Sequence, residues 1–160
     1  MNYILSDKTG TLTQTDGTIN VTGKNFDLNS TSDLIDGGSL NIGNGSSASK
    51  LTVSQGTIDK DSTVTINSKG TLAVTGGTVA LDSDDTWSGN VNVSGGSLAL
   101  IGITKNSTGT FTQSNGSTTI SGSGFDLNNE NDYVSGGTLN IGTGTTKTTF
   151  GVVSTFQTKG

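Results

Sequence analysis

Apolar and polar residues alternate along this chain in short bursts punctuated by glycine. In "GTINV", residues 17–21, and "GSLNI", residues 38–42, apolar side chains stand two and four places after a glycine. The same phase recurs after Gly56, Gly77, Gly96, Gly116 and Gly137, at Ile58/Lys60, Val79/Leu81, Leu98/Leu100, Thr118/Ile120 and Leu139/Ile141. A second set lies five and three places before each glycine: Leu12/Gln14, Asp33/Ile35, Leu51/Val53, Leu72/Val74, Val91/Val93, Phe111/Gln113 and Asp132/Val134. Period-two alternation marks a strand with one buried face, and the β-branched residues that dominate these positions suit a pleated surface. Two short strands therefore meet at each glycine, where a residue without a Cβ can take the backbone angles of a bend. A third, less regular strand is predicted in "NFDLN" (25–29), "TVTIN" (63–67) and "GFDLN" (124–128).

The glycines keep time. Gly17, Gly38, Gly56, Gly77, Gly96, Gly116 and Gly137 are separated by steps of 21, 18, 21, 19, 20 and 21 residues. Residues 10–53 also align without a gap on residues 109–152, an offset of 99 that this spacing divides into five periods. Periods of 20–50 residues point to stacked repeats. One such unit offers a handful of inward side chains, each contributing about 1.5–3 kcal/mol, against about 1.5 kcal/mol of ordering entropy for every residue. A lone turn fails that test, whereas stacked turns pair every strand above and below and join the inward residues into columns. The expected fold is all-β: a parallel β-solenoid with about 20 residues per coil and roughly eight coils over residues 1–160, with an antiparallel sandwich of many short strands as the structural rival. In it Ile19, Leu40, Ile58, Val79, Leu98 and Leu139 should share one interior column, with Thr118 interrupting it and Lys60 at a turn beside a short or bulged strand. Trp87, the single Trp, interrupts the beat within "DSDDTWSGN" and is expected to plug the core near the phase of Leu28, Ile66 and Leu127.

Composition narrows the function. Leu, Ile, Val and Phe make up 37 of 160 residues, a share at which composition alone leaves disorder open. The periodicity decides for structure. The eight basic residues are all Lys, they form no stripe, and the net charge is −5, which argues against a nucleic-acid partner. No apolar run approaches the length of a transmembrane helix. No secretion signal is visible at the start, so the chain is expected to be cytosolic or a piece of a longer exported protein.

"GGTLNIG" (136–142), "GGSLAL" (95–100), "KGTLAVTGGTVAL" (69–81) and "GNVNVSGGSLAL" (89–100) resemble the passenger regions of bacterial autotransporters and filamentous-haemagglutinin-like adhesins. The resemblance covers nearly the whole chain and implies a right-handed parallel β-helix, export, an extracellular place on the bacterial cell surface, and a role as adhesin, stalk or biofilm component. The chain departs from complete family members in showing no signal peptide, no translocator barrel and no Arg-Gly-Asp motif.

The inventory for chemistry is thin. Without His or Cys the commonest general base, the thiolate nucleophile and most transition-metal sites are missing. No catalytic centre, cofactor or metal site is expected. The rival enzymatic reading, a polysaccharide lyase or glycosidase, would need paired carboxylates, and the candidates are Asp33/Asp36, Asp59/Asp61, Asp82/Asp84/Asp85 and Asp126/Glu130/Asp132. Asp82, Asp84 and Asp85 could also hold Ca²⁺ weakly. The plainer expectation is that these acids occupy solvated corners. The residue after each glycine is hydroxylic at every turn: Thr18, Ser39, Thr57, Thr78, Ser97, Ser117 and Thr138. This column should face outward, as a contact surface for a glycan or protein of a host or bacterial surface, or, in a rival reading, for ice. End-to-end self-association through exposed strand edges is the other expected partnership.

Overall fold

A computed structural model describes residues 10–23, 25–122, 125–143 and 147–152. They form seventeen strands and no helix, and every named pairing is parallel. The chain climbs as a three-sided β-solenoid. The first coil contains β1 (Thr13–Gln14), β2 (Thr18–Val21) and β3 (Asn25–Leu28); the second, β4 (Leu34–Ile35), β5 (Ser39–Ile42) and β6 (Ser49–Val53). The third contains β7 (Thr57–Ile58), β8 (Thr63–Ile66) and β9 (Gly70–Val74), and the fourth opens with β10 (Thr78–Asp82) and β11 (Thr86–Trp87). From there β12 (Asn90–Ile101) and β13 (Thr110–Ser121) each run around a corner, ending one coil and beginning the next. β14 (Phe125–Leu127) and β15 (Tyr133–Val134) complete the sixth coil, and β16 (Thr138–Ile141) and β17 (Phe150–Val152) start another. The six coils repeat about every 21 residues rather than the eight coils of about 20 expected.

The first side holds β1, β4, β7, β10, the second halves of β12 and β13, and β16; the third holds β3, β6, β9, the first halves of β12 and β13, and β15. Because β12 and β13 bend without breaking, these two sides form one eleven-stranded sheet. The second side is a separate sheet ordered β11-β8-β5-β2, and β14 pairs with β17 alone.

The internal repeat is rotated. Its two copies pair identically: Thr13↔Leu34 matches Thr112↔Tyr133, Thr18↔Ser39 matches Ser117↔Thr138, and Phe26↔Leu51 matches Phe125↔Phe150. Gln14 Nε2 donates to the carbonyl of Ser39 and Gln113 Nε2 to that of its counterpart Thr138, while their second acceptors differ, Gly17 for the one and Gly136 for the other. Yet β1 lies on the first side and its counterpart, the first half of β13, on the third. The offset of 99 residues is thus four coils and two strands, not five coils. The step from Gly38 to Gly56 hides the difference, because it crosses two sides of a coil rather than three.

This corrects the expected column. Ile19 stacks on Leu40, but Leu40 stacks on Val64 of the second side. Ile58 belongs to a first-side column running Ile35, Ile58, Val79, Leu98, Thr118, Leu139. Thr118 does interrupt it, fully buried, and Lys60 is exposed at the turn after the two-residue β7, as expected. Trp87 is buried in register with Ile66, whereas Leu28 pairs with Val53 on the third side, outside the Trp87 column. Trp87, Phe111 and Phe125 form an aromatic cluster with ring centroids 5.6–6.2 Å apart.

Candidate functional site

The outward positions of the first side carry the hydroxyl column in part. Thr57, Thr78, Ser97, Ser117 and Thr138 are consecutive rungs in register. Thr18 and Ser39 are not among them: they stack on Thr63 of the second side, and the first-side places below Thr57 belong to Leu34 and Thr13. The repeat's rotation is the cause, since the same sequence phrase lands on different sides in its two copies. Rungs on neighbouring strands stand about 4.8 Å apart, and the next outward position along each strand about 6.6 Å away. That second column reads Ala80, Ala99, Thr119, Asn140.

The sides differ in how their polar groups are used. On the third side Thr110 Oγ1 donates to Asn90 Oδ1 at 2.7 Å and Thr112 Oγ1 to Asn92 Oδ1 at 2.8 Å, so these groups satisfy one another. On the second side Asn41 Nδ2 donates to Asn20 Oδ1 at 2.8 Å. The side chains of the five first-side rungs make no hydrogen bond among the described residues. Thr78, Ser97 and Thr138 are exposed and Thr57 and Ser117 half-buried, so their hydroxyls remain available to water or a ligand.

Three of the candidate acids are not in solvated corners. Asp33, Asp85 and Asp132 are buried, each closing a four-residue turn. Asp33 accepts from the N–H groups of Leu12 (2.8 Å) and Ser30 (3.0 Å), and Asp132 from Phe111 (2.7 Å) and Asn129 (3.0 Å). Asp85 accepts from Val64 (2.6 Å) and Asp82 (2.8 Å). Strand ends otherwise leave such donors unpaired, which explains why a carboxylate is drawn inside. Burial pushes the Asp85 carboxyl up to about 6, against the two N–H bonds that favour its anion; Asp82 and Asp84 add a smaller push upward. The expected acidic trio at Asp82, Asp84 and Asp85 therefore has no common focus, because Asp85 turns inward and Asp82 accepts from the Asp84 N–H. Among the described residues the three carboxylates that do gather, within 4.8 Å, are Asp36, Asp59 and Asp61, with Asp61 already paired to Lys60 at 2.5 Å. Asp126 and Glu130 are exposed.

Sequence reasoning missed Lys105. Its side chain is fully enclosed, 2.9 Å from Asp132 Oδ2, and donates to Gly109 O and Asn128 Oδ1. The available signal was its phase, eighteen residues after Trp87, which places it in an interior column.

These features define a parallel β-solenoid with one outward hydroxyl column and a braced interior. Among the described residues no helix is long and apolar enough to cross a membrane. Comparison with family models, with curated proteins and with solved structures finds no match.

Proposed function

We propose that this solenoid is a structural, adhesive segment of a bacterial surface protein, an adhesin or its stalk, that meets host, cell or matrix surfaces through many weak contacts. The observation that carries this reading is the first-side column Thr57, Thr78, Ser97, Ser117, Thr138, whose stacked hydroxyls are not engaged by their neighbours while those of the third side are. Identical donors and acceptors at a fixed spacing suit a polymeric or repeating ligand, because each rung adds effective concentration for the next. The extracellular setting and the kinship to autotransporter passengers and haemagglutinin-like adhesins belong to the same proposal and rest on the phrases that resemble them. End-to-end association belongs to it too, supported by the exposed apolar side chains of Tyr133, Ile141 and Val152 on the last described strands.

The test is binding of the clustered segment to a glycan array and to whole cells. Replacing Thr78, Ser97 and Thr138 together by Glu is expected to abolish binding with the circular dichroism spectrum unchanged, and replacing Asn92 and Thr112 by Ala to leave it. Binding that survives the first-side substitutions, or no binding by the clustered segment, would overturn the proposal.

A further inference from the structure

Lys105 stands where every rung beneath it is apolar. Its parallel bridge partner one coil below is Trp87, which lies over Ile66, which lies over Ile42. Three acceptors surround its amine: Gly109 O at 2.9 Å, Asn128 Oδ1 at 2.6 Å and Asp132 Oδ2 at 2.9 Å. Asn128 is held from both ends, since its Nδ2 donates back to Lys105 O at 3.3 Å. The other oxygen of Asp132 accepts from the Phe111 N–H, and Phe111 belongs to the aromatic cluster with Trp87 and Phe125. A primary amine, a carboxamide and a carboxylate thus meet on two consecutive coils, the amine and the carboxylate fully enclosed and the carboxamide half-buried beside them.

We propose that Lys105 and Asn128 form a self-catalysed amide cross-link that staples the fifth coil to the sixth, with Asp132 as the proton carrier. Asp132 takes a proton from the Lys105 ammonium across their existing contact, leaving an amine whose lone pair attacks Cγ of Asn128. The Nζ–Cγ bond forms, the tetrahedral centre collapses, and the Cγ–Nδ2 bond breaks. Nδ2 leaves as ammonia, protonated by the Asp132 acid, while the surplus proton on Nζ returns to the Asp132 carboxylate, which passes it to the departing ammonia and is left as the carboxylate it began as. Summed, lysine ammonium and asparagine amide give a secondary amide and one ammonium ion; nothing is oxidised and no co-reactant is required. The enclosure contributes twice, by holding the groups in contact so that an otherwise inert amide meets its nucleophile at high effective concentration, and by keeping water from the amine and the carboxylate that exchange the protons. Such a bond would give a cysteine-free chain the covalent tie between coils that it cannot make with a disulfide.

Intact-mass and tandem mass spectrometry of the purified full chain decide the matter. The expected result is a chain lighter by one ammonia, with the loss mapped to a branched Lys105–Asn128 amide and no tryptic cleavage after Lys105. Asn128→Ala and Lys105→Met should each show their full calculated mass. Asp132→Asn should stay uncrosslinked while retaining its β circular dichroism; if it fails to fold, the wild-type map alone decides, and a cross-link formed by folded Asp132→Asn would overturn the role given to Asp132. An unmodified wild-type mass after prolonged incubation would reduce the cluster to a buried ion pair and overturn the proposal. So would an ammonia loss confined to Asn44 or Asn115, each followed by glycine, where closure to a succinimide expels the same group.

Discussion

Asp33 reaches back one coil to accept the N–H of Leu12, 21 residues earlier in the chain, and Asp85 and Asp132 do the same to Val64 and Phe111 at the same separation. Each carboxylate also accepts from the residue three places before it, so one side chain closes a turn and ties that turn to the coil beneath. Hydrogen bonds to a charged group contribute about 1.5–3 kcal/mol, and a buried N–H left unpaired costs about 1–3 kcal/mol. Asp33→Ala orphans two such donors and is expected to lower stability by about 2–4 kcal/mol. Urea denaturation checks this. A loss no larger than that of Asp16→Ala, at an exposed turn, would show that the brace is dispensable.

Asp85 should make stability depend on pH in an unusual direction. Burial raises its carboxyl from 3.8 to about 6 in the folded chain, so between those values the folded state binds the proton and the unfolded state does not. Its contribution is fully present below the unfolded value and is lost as pH rises through about 6. The difference in unfolding free energy between wild type and Asp85→Asn, followed from about pH 4 to about pH 8, should therefore shift against the wild type as pH increases. A shift in its favour would mean that the two backbone N–H bonds outweigh burial.

Thr118 separates Leu98 from Leu139 in the first-side column, with its hydroxyl buried and unpartnered. Valine has nearly the same shape and no such group. Thr118→Val is expected to raise stability by about 1–3 kcal/mol, read as an upward shift of the denaturation midpoint with an unchanged slope. Destabilisation would show that the hydroxyl has a partner in solution.

The alternation that predicted strands was legible because inward positions such as Val53, Val74 and Val93 remain in register through three coils. The phase of the first two coils was not. A strand preceded by glycine looks the same whichever side it occupies, and the loop of residues 43–48 lengthens its coil enough to imitate a whole period. Thr18 and Ser39 were consequently grouped with a column on another side. The buried acids were misread for a different reason. "NSTSD", "LDSDD" and "NNEND" resemble solvated turns, and only the stacking of coils turns their last aspartate toward an open backbone donor. Lys105 was hidden because two of its three acceptors, Asn128 and Asp132, lie on the following coil.

The glycine corners should divide into two classes. Gly17 and Gly96 both have positive φ, +80° and +66°, so an alanine at either suffers the left-handed penalty of about 1–2 kcal/mol. Their surroundings differ. A Cβ on Gly17 would meet nothing among the described residues, whereas one on Gly96 would collide with the Gly77 carbonyl of the coil below, which also accepts the Ser97 N–H that continues the first side. Backbone cannot withdraw as a flexible side chain can, so the collision must open the stack between these coils. Gly17→Ala is expected to fold with a loss confined to that penalty, and Gly96→Ala to lose roughly twice as much or more. Thermal denaturation of the two variants side by side is the check, and equal losses would mean that the coils are not packed through this corner.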